Sequence, residues 1–482
     1  MLCALGVVVA GCATPRLPHL PKQTPATWQH APSESAALGP APDLHGWWKA
    51  FDDAELDRLV EQALTDNLTV QQAALRIGAA RSLDSHTYAA YLPQAGIRTF
   101  AEPAPDNSAS YFQMGFDAKW EFGLFGRAKS HSRVTAGEVG IAESEAQAAR
   151  VSVVAEVARA YVELRGAEQR LRLLEQMQQL AQDKVGLTQT RQRLRLASAN
   201  DLARTQAEHV SAQAALYEPR LAVERCRQQL AVLLGRSQPG ADLLAAGEPP
   251  RLGALRIASA PADLLRTRPE IHRAESEVLK AAGELGLAQA DLYPRLGIGG
   301  SLTYASRVIG HTRLSDADGI VTIGPAIDIP LLDWGARHAV VEARDAALSA
   351  SVLAYRQAVL DGIAEAEIAL ATLQQNSERA ATLARGVEGL ENSAAATATL
   401  SRLGLADGFD RTAASTALLQ AKLDAAQAEQ ARSIAFIALY KSLGGAPLPA
   451  SNAATEIGAA AGSATDTPAA TPAFRNAHEG RR

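Results

Sequence analysis

Cysteine, aromatic residues, long apolar runs and excess charge of either sign are all scarce in this chain. Cysteine occurs three times in 482 residues. Two of the three, Cys3 and Cys12, lie at the amino terminus, leaving Cys226 alone in an Ala- and Leu-rich helical stretch. A fold resting on intramolecular disulfides is thereby excluded, and Cys226 reads as a small buried hydrophobe. No apolar run reaches the roughly 18–20 residues of a membrane-spanning helix. A net charge of −5 without a basic tract gives no footprint for nucleic acid. The ten histidines form no i, i+4 pair, and no His-Glu-x-x-His, phosphate-cradling glycine loop or Cys-x-x-Cys occurs. With three methionines and no Met/His cluster, no copper site is expected. The expectation is a chain without cofactor, metal or catalytic site. Proline is missing from Arg127 to Leu196 and again from Leu332 to Ala446.

What the chain does contain, it contains twice. A helical segment leads to an aromatic-Pro pair, Tyr91-Leu92-Pro93 and then Tyr293-Pro294. Two alternating runs follow, then an aromatic-Gly turn with an Arg: Phe125-Gly126-Arg127, and Trp334-Gly335-Ala336-Arg337. A long helical stretch comes next, and each half closes on Leu-Gly, at Leu234-Gly235 and Leu443-Gly444. A period near two hundred residues is too long for a solenoid and reads as internal duplication of a whole unit.

The Pro-free stretches predict helices of about 65–70 residues, rods of roughly 100 Å. In the second, Leu348, Val352, Tyr355, Val359, Ile363, Ala366, Leu370 and Leu373 alternate spacings of four and three, a coiled-coil seam. A second stripe is built from small residues, Ala339, Ala343, Ala346, Ala350, Ala354 and Ala358. Two stripes call for more than one neighbour. Val154, Val157, Tyr161, Leu164, Leu171 and Leu174 repeat the seam in the first half. Each rod turns back near Ala197–Asp201 or Gly404–Asp410, with Asn200 and Asp407 as candidate N-caps. Pro219 predicts a kink in the first return helix.

Between the Pro pairs and the aromatic-Gly turns the period falls to two. Strands are expected over about 93–102, 110–122, 295–305 and 319–331. Phe112, Phe116 and Trp120 share one face; Ile323, Ile327 and Ile329 share another, and all six are expected to face lipid. Each run has the length of a tilted membrane strand, and no spare helix is available to cover a soluble sheet. Backbone groups in lipid must all be paired, and four strands cannot close a barrel. Several copies of the chain must therefore share one barrel, closing head to tail as a ring.

At the amino terminus, Val9-Ala10-Gly11-Cys12 after an apolar run resembles a bacterial lipobox, which implies cleavage before Cys12 and its lipidation. The expected organisation is a signal peptide over 1–11 and a lipid-anchored, Pro-rich tether over 12–46. The first repeat then spans 47–235, an equatorial linker 236–259, the second repeat 260–445 and a disordered tail 446–482.

Several stretches, in order, resemble the TolC-like outer-membrane exit ducts, in particular the lipoprotein branch of multidrug efflux channels. They include Trp48-Lys49-Ala50-Phe51-Asp52-Asp53, Ala63-Leu64-Thr65-Asp66-Asn67, Trp120-Glu121-Phe122-Gly123-Leu124-Phe125-Gly126-Arg127, Asp263-Leu264-Leu265-Arg266-Thr267-Arg268-Pro269-Glu270-Ile271 and Asp333-Trp334-Gly335. The resemblance covers about Trp47 to Gly445. It implies a mainly α fold with a small membrane β part: a homotrimer with a twelve-stranded outer-membrane β-barrel, four strands per protomer, and a long α-helical barrel in the periplasm. It also implies a periplasmic adaptor (membrane fusion) protein and an inner-membrane pump of the RND class as partners, and passive efflux of drugs or other small molecules. A type I protein-secretion duct and a non-channel periplasmic coiled-coil scaffold or adaptor lipoprotein are the competing readings. The positions matching the family's constricting carboxylate and arginine are Ala413 and Thr416, so that pair is missing. Phe409 stands where the family has a constricting Leu, and Phe409, Asp410 and Arg411 are the expected pore gate. Asp410 and Arg411 fit a solvated helix start equally well.

Overall fold

The computed structural model describes residues 16–20, 28, 43–102, 111–253, 267–307 and 319–448. Cys12, and with it the expected lipid anchor, lies outside the described residues, as do the signal peptide and nearly all of the tail.

The helical run of the first half begins with a tight turn at Trp47–Phe51, then α1 (Ala54–Asp66) and α2 (Leu68–Ser85). Asp53 and Asn67 cap the two helices, each side chain accepting from the backbone N–H groups two and three residues on. The strands β1 (Gln94–Glu102) and β2 (Tyr111–Glu121) follow. The long helix α3 (Arg127–Arg193) leads to the return helices α4 (Ala199–Ala214) and α5 (Tyr217–Leu233). The second half runs α7 (Pro269–Ala290), β3 (Arg295–Arg307), β4 (Gly319–Asp328), α8 (Ala336–Arg402) and α9 (Gly408–Ser442), after a short α6 (Ala241–Leu244) in the linker.

Both rods contain 67 residues, and their ends stand 209 positions apart, Arg127 against Ala336 and Arg193 against Arg402. Gly126 and Gly335 precede them at φ 79° and 84°, where a side chain would be strained. The return is broken in the first half, where Pro219 lies in the opening turn of α5, and continuous in the second, where Ala428 holds the matching place. Ser198, not Asn200, caps α4: its hydroxyl accepts from Asp201 N–H while the Asp201 carboxylate accepts from Ser198 N–H. Asn200 falls inside the first turn, because the reciprocal bond needs an acidic residue three positions after the cap.

The seams pack as the spacing predicts. Leu348, Tyr355, Val359, Ala366, Leu370 and Leu373 are buried, as are Val154, Val157, Tyr161 and Leu164. The alanine stripe of α8 is exposed in the protomer from Ala339 to Ala354. Cys226 is free and buried, and burial pushes its thiol pKa up.

One aromatic cluster ties the beginning of the fold to its end. Trp47 stacks on Tyr440 at 5.8 Å and meets Phe436 edge-on at 6.0 Å, while Phe51 meets Phe436 at 5.6 Å. The Trp47 indole donates to Gly445 O at 2.9 Å. Two residues from outside the expected repeats join the core as well. Trp28 is buried within the described part of the tether, and Ala446, the first residue of the expected tail, is fully buried.

Candidate functional site: a strand ribbon and a helical tip

The four strands form one antiparallel ribbon in the order β1-β2-β3-β4. Residues opposite one another share a face, so the register sorts the side chains. One face carries the rows Ile97–Phe116–Leu302–Val321 and Trp120–Ile298–Pro325, with Ala118–Gly300–Ile323 between them and Leu296–Ile327 beyond. The other carries Gly96–Asp117–Ser301–Thr322 and Gln94–Lys119–Gly299–Gly324, with Ile320 the apolar exception opposite Thr303. Ser301 and Thr322 join hydroxyls across that face at 2.8 Å.

The apolar face is bare: Phe116 is 52% exposed, Ile323 84%, and Trp120, Ile327 and Ile329 are exposed too. Phe112 belongs to the same set by register, opposite Ala101 and Ser306, but its side chain lies outside the described ones. The strands match the alternation to within two residues, except that β4 stops at Asp328 rather than Leu331. Its partner β3 begins at Arg295, opposite Asp328, so nothing within the protomer pairs Ile329 to Leu331. Among the described residues the outer edges of β1 and β4 are unpaired.

About a hundred ångströms of helix away, the second return begins with a capping box. Asp407 accepts from Phe409 N–H at 2.8 Å and Asp410 N–H at 2.9 Å, and the Asp410 carboxylate accepts from Asp407 N–H at 3.0 Å. Asp410 is thus held as a helix-start carboxylate, and both it and Arg411 are exposed. The backbone N–H of Asp410, then that of Phe409 and the charge of Arg191, hold the Asp407 carboxyl below its usual range.

Arg191 is the tip residue that periodicity did not single out. Its guanidinium donates to Asp407 at 2.6 Å and lies 4.1 Å from the Phe409 ring centroid. One arginine from the first rod therefore grips both the cap and the aromatic of the second return helix. Aligning the halves reveals the signal: Leu400 and Asn200 hold the matching places, so the clasp occurs once.

Among the described residues no helix is long and apolar enough to cross a membrane, and no group of acidic, His or Cys side chains could hold a metal ion.

The family model for outer membrane efflux proteins matches residues 59–236 and 260–445. The chain is 26% identical to Nodulation protein T of Rhizobium leguminosarum bv. viciae over 388 residues, 77% of this chain and 78% of that protein. It is 28% identical to outer membrane protein OprJ of Pseudomonas aeruginosa over 355 residues, 69% of this chain and 72% of that protein. The outer-membrane channel OprN superimposes with a TM-score of 0.79 at 27% identity, covering 91% of this chain and all of that one. A ribbon bare on one face, two rods of equal length and these matches agree: the chain belongs to the outer membrane efflux protein family, as an outer-membrane channel with its helices in the periplasm.

Proposed function

We propose that three copies of this chain close a single barrel of twelve strands and continue it as an α-helical tube, forming the passive exit duct of a tripartite pump. The observation that carries this reading is the ribbon. It presents one exposed apolar face and two unpaired edges, and edges cannot remain open in lipid. Residues 59–236 and 260–445 matching one family model support internal duplication, so three chains of two repeats make a six-fold pseudo-ring. A periplasmic adaptor and an inner-membrane pump of the RND class supply the driving force, Cys12 carries the lipid, and the duct performs no catalysis. Drugs or other small molecules are the cargo class.

Oligomer mass in detergent and conductance in planar bilayers test the duct. Three copies and a conducting channel are expected. A single-copy, non-conducting protein that is soluble in plain buffer after Cys12→Ser overturns it.

The gate reading is carried by Phe409, Asp410 and Arg411 at the tip, where Arg191 from the first rod grips Phe409 and the cap Asp407. Asp410→Asn raises single-channel conductance and antibiotic leak. Asp201→Asn is the control, because Asp201 holds the same capping role in the first half, where Asn200 and Leu202 stand in place of Phe409 and Arg411. Equal gains from both variants, or none from Asp410→Asn, would sink the gate.

A further inference from the structure

The internal geometry of the protomer prescribes how one copy meets the next. The junction between the two halves is β2 against β3, and the junction between copies is β4 against β1 of a second copy. If the halves are equivalent, the first junction is the template for the second. The β1–β2 and β3–β4 registers supply the correspondence: Gln94 pairs Lys119 where Arg295 pairs Asp328. Gln94 therefore matches Arg295, 201 positions on, and Lys119 matches Asp328, 209 positions on, the same offset that separates α3 from α8.

We infer that β4 pairs with β1 of a neighbouring copy in one register, with Asp328 opposite Arg98 and Ile329 opposite Ile97. This rests on the shared barrel proposed above and adds its register. The template pairs are Lys119–Gly299 and Trp120–Ile298.

Three features of the protomer agree with that register. First, face parity holds, so Ile329 and Ile97 meet on the bare apolar face; a one-residue slip would bring apolar side chains against polar ones. Second, opposite charges meet on the other face. Arg98 is 82% exposed, with its nearest carboxylate, Asp117, at 3.5 Å, and Asp328 is exposed with no ion pair among the described residues. Third, the early end of β4 is explained. Phe122 N–H donates to Leu296 O at 3.1 Å and anchors the lower end of the first ribbon. Its counterpart is Leu331 N–H, whose acceptor is Ala95 O of the second copy. Residues 329–331 thus become strand on assembly. Pro325 offers no N–H on that edge, so this ladder begins at Ile327.

The same correspondence sets α8 on α2 of the second copy. Within the protomer Gly137 of α3 receives Lys280 of α7, which reaches Glu138 at 3.0 Å. The matching residues are Ala346 on α8 and Ala79 on α2, with the exposed Leu75 one turn away. At this position the junction between halves carries an ion pair, and the junction between copies carries two alanines.

Cysteine pairs test the register in the full-length, lipidated protein carrying Cys226→Ala, oxidised in outer-membrane vesicles. Phe122–Leu296 is a hydrogen-bonded pair, so by alternation the Asp328–Arg98 position is not, and its Cα atoms sit about 4.5 Å apart, within disulfide reach. Arg98→Cys with Asp328→Cys is expected to give covalent trimers. Gly96→Cys with Asp328→Cys and Arg98→Cys with Ala326→Cys, each two residues out of register, are expected to give at least about tenfold less. Equal or better cross-linking in a shifted pair overturns the register and leaves the shared barrel standing. No cross-link in any pair from a protein that is trimeric in detergent also overturns the register, whereas a single-copy mass overturns the barrel itself. Charge reversal gives a second readout should the cysteine variants fail to assemble. Arg98→Asp and Asp328→Arg each lower the temperature at which the SDS-resistant trimer dissociates, and the double reversal restores it. A double variant no better than the singles counts against the pairing.

Discussion

The rods α3 and α8 are equal in length and begin on equivalent glycines, yet they live in different surroundings. α3 is central: α1, α2, α4, α5, α7 and α9 all lie against it, and its middle is buried on several sides. α8 has α7 and α9 as its main neighbours and exposes Val340, Leu353, Leu360 and Ile368. The lesson is that surroundings, not length or propensity, separate the two halves. The first rod is packed on several sides within the chain, and the second keeps an exposed apolar face that the proposed ring would cover.

The halves also differ where the return helices pass the equator. In the second half α9 brings Phe436 and Tyr440 to Trp47. At the matching place in the first half α5 brings Arg227, which meets Glu168 at 3.1 Å, and Glu168 in turn meets Arg165 at 2.9 Å. Arg165 and Glu168 are both buried. The largest effects are expected here. Trp47→Ala should cost about 3–5 kcal/mol by emptying a fully buried site. Glu168→Ala should cost a similar amount, about 3–5 kcal/mol, by leaving a buried arginine without its counter-charge. Urea midpoints in detergent measure both. A neutral Glu168→Ala would mean that the polar collar is dispensable, and the contrast between the halves would lose its energetic meaning.

A medium effect separates the junctions. A Cβ on Gly283 would stand 2.7 Å from Ser130 O on α3, so Gly283→Leu should destabilise the protomer by about 1–3 kcal/mol. Its counterpart Ser82 is exposed, so Ser82→Leu should leave the protomer intact and weaken only the trimer, read as a lower dissociation temperature in SDS. A loss of protomer stability in Ser82→Leu would break the proposed equivalence.

Smaller still is the clasp. Arg191→Ala should cost about 0.5–1 kcal/mol, since its ion pair is largely exposed, but it should raise conductance by freeing Phe409. Leu400→Ala, at the unclasped counterpart, should change conductance little. The smallest effect concerns acid. Folding lowers the Asp407 pKa from about 3.8, so its contribution is complete above that value and is lost as pH falls through the folded one. Asp201 behaves alike, with its carboxylate held down by Ser198. Conductance should therefore be flat from pH 7 to about 5 with respect to both tips. A step in that range would assign the gate to other groups.

Much of this was legible in the sequence because the signals are periodic. Spacings of three and four located the seams, and alternation located four strands to within two residues, apart from the end of β4. That end depends on where a neighbouring strand stops, which no local pattern encodes. Asn200 was a plausible cap by residue type, but Ser198 won through a reciprocal bond to Asp201. Periodicity did not single out the buried pair Arg165 and Glu168, since charge alone does not reveal that the linker lies over them, Ala245 O accepting from Arg165 and Gly247 N–H donating to Glu168. Arg191 became visible only when the halves were aligned and its counterpart proved to be Leu400.

The bond from the Trp47 indole to Gly445 spans 398 residues. A polypeptide threaded out of the cytoplasm from its amino end releases Trp47 long before Gly445. The girdle they fasten stays unbuckled until Gly445 has emerged. A chain lacking α9 would leave Trp47 and Phe51 without Phe436 and Tyr440 to cover them.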